Sequence, residues 1–165
     1  MLLEQCNEAA RVELEKVLRP CLDIQRWIDG IIDDRPYSSR EALLDSARIA
    51  ADPFTIPEIE SALAHHPRIG QKAAGTSTEA KLSAAEQARV SGEDPAILAA
   101  IAEGNAAYES KFGRVFLIRA AGRSATDILG SLNKRLENPP EVELAVVAQQ
   151  LREIAVLRLE GAVAA

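Results

Sequence analysis

The sequence predicts an all-α fold, a single-domain helical bundle of about eight or nine helices, and three observations predict it. Leu, Ala and Glu dominate while aromatics amount to one Trp, two Tyr and three Phe, a balance that favours helices over strands. Apolar residues recur at spacings of three and four along most of the chain, the period of a helix with one buried face. Ser, Thr or Asp before these stretches, and Pro or Gly after them, read as caps and stops. At 165 residues the chain suffices for one domain, residues 1–165, with an apolar core that needs no disulfide or metal.

The elements follow in order. Val12, Leu14, Val17 and Leu18 sit among charges, predicting an amphipathic helix over 7–18 that ends before Pro20. A short helix is expected at 22–28, then a loop at Asp33-Asp34-Arg35-Pro36-Tyr37. Ser38 with Glu41 has capping-box spacing and opens a helix to about Ala51, stopped by Asp52-Pro53. Thr55 with Glu58 opens the next, which must end near Pro67 because the residue before a proline is pushed off helical angles. Residues 69–78 are rich in Gly, Ala, Ser and Thr and form a loop, either a lid or a plain connection. Helices then follow at 83–90, from Asp94-Pro95 through Lys111 with Gly113 closing it, from Ser124 to about Leu136, and from Glu141 to Leu159. Val115-Phe116-Leu117-Ile118 reads as an extended run.

Charge and composition exclude several classes. A net charge of −6 argues against a nucleic-acid binder, which needs a basic face. A small anionic substrate would require a local positive site within an acidic protein. Cys6 and Cys21 form no CxxC pair and no cluster with histidine, so neither a disulfide framework nor a zinc site is expected. Two histidines without HxxxH or HxH spacing make a metal site unexpected. No apolar run approaches the roughly 20 residues that span a bilayer, and no signal peptide or peroxisomal address is recognised. These features point to the cytoplasm.

Polar residues on otherwise apolar stripes need a reason. Val147, Leu151, Ile154 and Arg158 are spaced by four, three and four, which turns a guanidinium toward the core. It either pairs with a carboxylate, snorkels to water, or holds a ligand anion. Ile59, Leu63 and His66 share a face in the same way, so His66 rather than His65 points inward, as a satisfied core histidine or as a proton handler. Ser83-Ala84-Ala85-Glu86-Gln87 has capping-box spacing, either a plain helix start or a helix start whose free N–H groups hold a substrate oxygen. Asn105 lies in register with Ile101, Tyr108 and Phe112 as an inward amide, and Trp27 as core.

Taken together, His66-Pro67-Arg68-Ile69-Gly70, Ser83-x-x-Glu86-Gln87, Asn105-x-x-Tyr108-x-x-Lys111-Phe112-Gly113-x-x-Phe116 and Ile154-x-x-Leu157-Arg158-Leu159 resemble the 2-oxo-4-hydroxy-4-carboxy-5-ureidoimidazoline (OHCU) decarboxylases, in order and in spacing. The resemblance implies one OHCU decarboxylase-like domain over the whole chain and a carboxy-lyase that turns OHCU into (S)-allantoin in urate degradation. It also implies no metal or organic cofactor and a homodimer. By the same resemblance His66 and Glu86 are the catalytic pair, and Pro67, Ser83, Gln87, Phe116, Ile118 and Arg158 bind substrate. Two other readings stay open: a helical interaction module whose inward polar residues are structural, and another lyase or hydrolase acting on a related purine breakdown product.

Overall fold

Nine helices and no strand form among the described residues, which are 1–71, 75–90 and 92–164 of a computed structural model. By their internal packing the residues group into two compact units, residues 1–62 with those from 151 onward, and residues 63–150.

In the first unit the predicted helix over 7–18 is two, α1 (Leu3–Glu8) and α2 (Arg11–Leu18), because Ala9 and Ala10 adopt extended backbone between them. Helix α3 (Gln25–Asp33) starts three residues later than expected. Its buried Trp27, Ile28, Ile31 and Ile32 form the stripe, while Leu22 and Ile24 are buried before the helix begins rather than within it. The Trp27 indole N–H donates to the Ala47 carbonyl at 2.9 Å on α4 (Arg40–Ile49). Ser39, not Ser38, caps α4, its hydroxyl accepting from the Ala42 N–H at 3.1 Å. The box at Thr55 and Glu58 forms as expected, with both reciprocal bonds, and opens α5 (Ile56–Leu63). Both cysteines are buried free thiols in this unit, and burial pushes the Cys6 thiol pKa up.

The second unit holds α6 (Thr78–Glu86), α7 (Pro95–Phe112) and α8 (Ala125–Leu136). Asp94 and Ser124 cap α7 and α8, and Gly113 closes α7 in the left-handed conformation (φ 69°), all as read from the sequence. Helix α7 lies tightly on α8 because Gly104 has no side chain: a Cβ there would meet Leu132 Cδ2 at 2.5 Å. Ile69, Val90, Ile101, Tyr108, Phe116, Ile118, Ile128 and Leu132 make its core. The run at 115–118 is irregular backbone without sheet pairing. Helix α9 (Pro140–Ala162) begins in this unit. There Glu143 is fully buried, ion-paired with Arg135 at 2.6 Å and accepting from the Tyr108 hydroxyl at 2.6 Å. Burial, followed by that carboxylate, pushes the Tyr108 pKa well above its ordinary value.

Two expectations are corrected by where α6 begins. The chain is helical from Thr78, capped by the Ser77 hydroxyl on the Ala80 N–H (3.1 Å), so Ser83 is an interior residue and not a helix start. The upstream cap prevails because each residue it adds to the helix gains a backbone hydrogen bond once the first turn exists. Inside a helix the N–H groups already have carbonyl partners, so Ser83 and Glu86 form no capping box. The helix stops at Glu86, and 87–90 are turns rather than its last residues. The expected loop at 69–78 is irregular as far as Gln71 and from 75 to 77; residues 72–74 lie outside the described residues.

Candidate active site

The second unit brings seven of the eight candidate residues into one compact body: His66, Pro67, Ser83, Glu86, Gln87, Phe116 and Ile118. Past the end of α5 the His66 N–H still donates to the Leu63 carbonyl at 3.0 Å, after which Pro67 disfavours further helix. This leaves His66 half-buried and His65 exposed, as the stripe required. His66, Pro67, Ser77 and Glu79 line a cavity of about 430 Å³, a volume within the range of small-molecule sites.

The turn after the histidine is held from three sides. The Gly70 N–H donates to Gln87 Oε1 at 2.9 Å, Asn105 Nδ2 donates to the Ile69 carbonyl at 3.1 Å, and the Arg68 guanidinium binds both Glu109 oxygens (2.5 and 3.1 Å). Asn105 and Glu109 are one helical turn apart on α7, so a single face of that helix presents both. The Ile69 side chain is itself buried in the core.

Ala80 and Ser83 are the buried residues of α6, and Gln87 and Val90, also buried, continue them beyond its end. Glu86 ends α6 half-buried, where the helix macrodipole disfavours a carboxylate. Helix stability therefore does not explain that residue type at that place. A second cavity, of about 410 Å³, is lined by Gly70, Gln87, Val90 and Lys81 among others. Lys81, exposed, puts a positive charge on its wall.

Phe116 and Ile118 are buried core side chains, 1% and 5% exposed, so what they can offer a ligand is backbone. That backbone is pinned: Arg135 Nη1 donates to the Leu117 carbonyl at 2.7 Å, and the Arg119 N–H donates to Gln150 Oε1 at 2.8 Å. The Arg135 guanidinium also lies 4.6 Å from the Phe116 ring centre, a cation–π distance.

The eighth candidate, Arg158, belongs to the first unit. It is 7% exposed, as its stripe predicts, and Nη1 donates to the Pro20 carbonyl at 3.1 Å. Among the described residues no group of three or more His, Cys, Asp or Glu could hold a metal.

Sequence reasoning missed three features: the Asn105 bond to Ile69, the Arg68–Glu109 pair and the buried Arg135–Glu143 pair. The last was within reach, because Glu143 stands four residues before Val147 on the stripe that singled out Arg158.

A model of the OHCU decarboxylase family matches residues 7–160. The chain is 33% identical over 127 residues to the uric acid degradation bifunctional protein TTL of Arabidopsis thaliana, covering 75% of this chain and 39% of that protein. It is 24% identical over 164 residues to the uric acid degradation bifunctional protein of Bacillus sp. (strain TB-90), covering 97% and 32%. The chain thus spans roughly a third of the length of the curated relatives it matches. A crystal structure of OHCU decarboxylase in the presence of (S)-allantoin superposes with TM-score 0.68 and 26% identity, covering 87% of this chain and 94% of that one. One of (S)-allantoin synthase gives 0.74 at 16% identity, covering 99% and 54%, and speaks to the fold alone.

Proposed function

From the family to which this chain belongs, that of the OHCU decarboxylases, we propose that it is a cofactor-independent carboxy-lyase converting OHCU to (S)-allantoin in urate degradation. On this reading residues 1–165 act as one domain, as a homodimer in the cytoplasm. The observation that carries it is the half-buried His66 on the wall of a cavity, presented by a turn that three side chains hold still.

OHCU bears a carboxylate and a hydroxyl on one ring carbon, next to a C=N carbon carrying the ureido group. When the carbon–carboxylate bond breaks, its electron pair forms a C=C bond to the imine carbon and the C=N pair moves onto nitrogen, which takes up a proton from solvent, so CO2 leaves without an external electron sink. The resulting enol then ketonises: its hydroxyl loses a proton and the adjacent carbon gains one on a single face, which sets the S configuration. His66, oriented by Glu86, engages the hydroxyl and handles its proton. Gln87 and Ser83 hold polar edges of the ring, and the backbone at Phe116 and Ile118 borders it with Pro67. Arg158 binds urea or carboxylate oxygens with its planar fork.

His66→Ala is expected to lower kcat/KM by roughly 10²–10⁴-fold with helical circular dichroism intact. Near-normal formation of (S)-allantoin from freshly generated OHCU, followed by its circular dichroism, overturns the assignment. Arg158→Lys is expected to lose at least about tenfold, since a point charge cannot replace a bidentate fork; unchanged kcat/KM makes Arg158 structural.

A further inference from the structure

The Ile69 carbonyl and the Gly70 N–H are the two ends of a single peptide bond. Asn105 donates to the first at 3.1 Å and Gln87 accepts from the second at 2.9 Å, so two carboxamides grip one peptide plane from opposite edges. That plane is the centre of a β-turn, because the Gln71 N–H donates to the Arg68 carbonyl at 3.0 Å. Gly70, third in the turn, has φ 86°, the value a type II turn requires at that position. Types I and II differ by a flip of this central peptide, which reverses the direction of its carbonyl and N–H.

We propose that Asn105 is a positioning residue for the reaction: together with Gln87 it holds the 68–71 turn in its type II form and so fixes how His66 is presented. The inference rests on His66 being the proton handler of the proposed decarboxylation. Two details support it beyond the distances. Asn105 is 5% exposed, and its Oδ1 is buried with no hydrogen-bond partner among the described residues. An interior amide half satisfied is a poor stabilising device, and its one bond reaches the peptide that decides the turn type. Arg68, first in the same turn, is tied to Glu109, on the same face of α7 as Asn105.

Gly70 offers a separate handle on the same equilibrium. A Cβ added there meets nothing within 4 Å, so Gly70→Ala acts on backbone preference alone and disfavours type II. Asn105→Leu keeps the shape and removes the hydrogen bond. Each variant is expected to lower kcat by tenfold or more with KM within twofold, and the double variant to lose little more than the worse single one, since both flip one peptide. In ¹⁵N-edited spectra of the ligand-free protein the Gly70 amide and the His66 ring signals should move in both variants, while α8 amides stay in place.

Losses that multiply in the double variant, or a wild-type kcat in Asn105→Leu, overturn the proposal. So do unmoved Gly70 and His66 signals. Should His66→Ala retain turnover, the decarboxylation reading fails on its own; shifted signals would then still show that Asn105 controls the turn, and unshifted ones that it does not.

Discussion

The two units bury polar groups differently. In the first, the ion pairs lie at the rim: Arg11 with Asp29 and Asp33, Arg26 with Glu58, and Arg48 with Asp45 each include a side chain at least two-fifths exposed. Its interior is nearly all apolar, built on Leu14, Leu18, Trp27, Ile28, Ile31 and Leu43. The second unit instead buries Ser83, Gln87, Asn105, Arg135, Glu143 and Gln150. Four of these six bind irregular backbone: Gln87 and Asn105 hold the turn after His66, and Arg135 and Gln150 hold the run at 117–119. Irregular backbone has no helical partners for its N–H and C=O groups, so an unpaired group there costs about as much as a lost hydrogen bond unless a side chain reaches it. A polar interior is the consequence of shaping a site from loops, whereas regular helices can be packed with hydrocarbon.

The contrast between the two units is sharpest at Arg135. Arg135→Met leaves Glu143, wholly buried, without its cation, and should cost about 3–5 kcal/mol of unfolding free energy in urea. A loss below about 1 kcal/mol would mean that the buried pair carries no more than the rim pairs of the first unit. Next in size, Gly104→Ala drives a methyl against the buried Leu132, 2.5 Å from Cδ2 and 3.0 Å from Cγ. Overpacking of this kind costs about 1–3 kcal/mol and alanine's helix preference returns about 1, so a net loss near 1 kcal/mol is expected as a lower Tm. A raised Tm would show that α7 and α8 yield more easily than their packing implies.

The smallest effect is expected at the rim. Hydrogen bonds from Arg26, then from the Thr55 N–H, hold the Glu58 carboxyl at a pKa of about 2 against the ordinary 4.5. A depressed folded pKa stabilises the protein above the unfolded value, and that stability is lost as pH falls through 4.5 toward 2. Because Arg26 is half exposed, Glu58→Gln should cost no more than about 0.5–1 kcal/mol at pH 7 and nothing near pH 2. A pH-independent loss in parallel melts would locate the effect in the helix cap instead.

Much of the fold was legible because its punctuation is local. Asp94-Pro95, Ser124 and Gly113 name the ends of α7 and α8 correctly, since each acts on backbone within a turn of itself. Ser83 misled for the same reason: a capping pattern read by itself takes no account of the earlier cap at Ser77, and the helix that begins first consumes it. At the site, the inward phase of His66 and of Arg158 followed from periodicity alone. What holds the histidine's turn did not, because Gln87 and Asn105 reach it across 17 and 36 residues of sequence, and spacing carries no information about side chains that meet from separate helices.

The two cysteines acquire a use from their placement. Both thiols belong to the first unit, 0% and 2% exposed, and the second unit has none. A disulfide-exchange reagent can reach them only when that unit opens, and while it stays closed burial holds the Cys6 thiol pKa up and so keeps that thiol in its unreactive protonated form. The two buried thiols therefore report on opening of the unit that holds them.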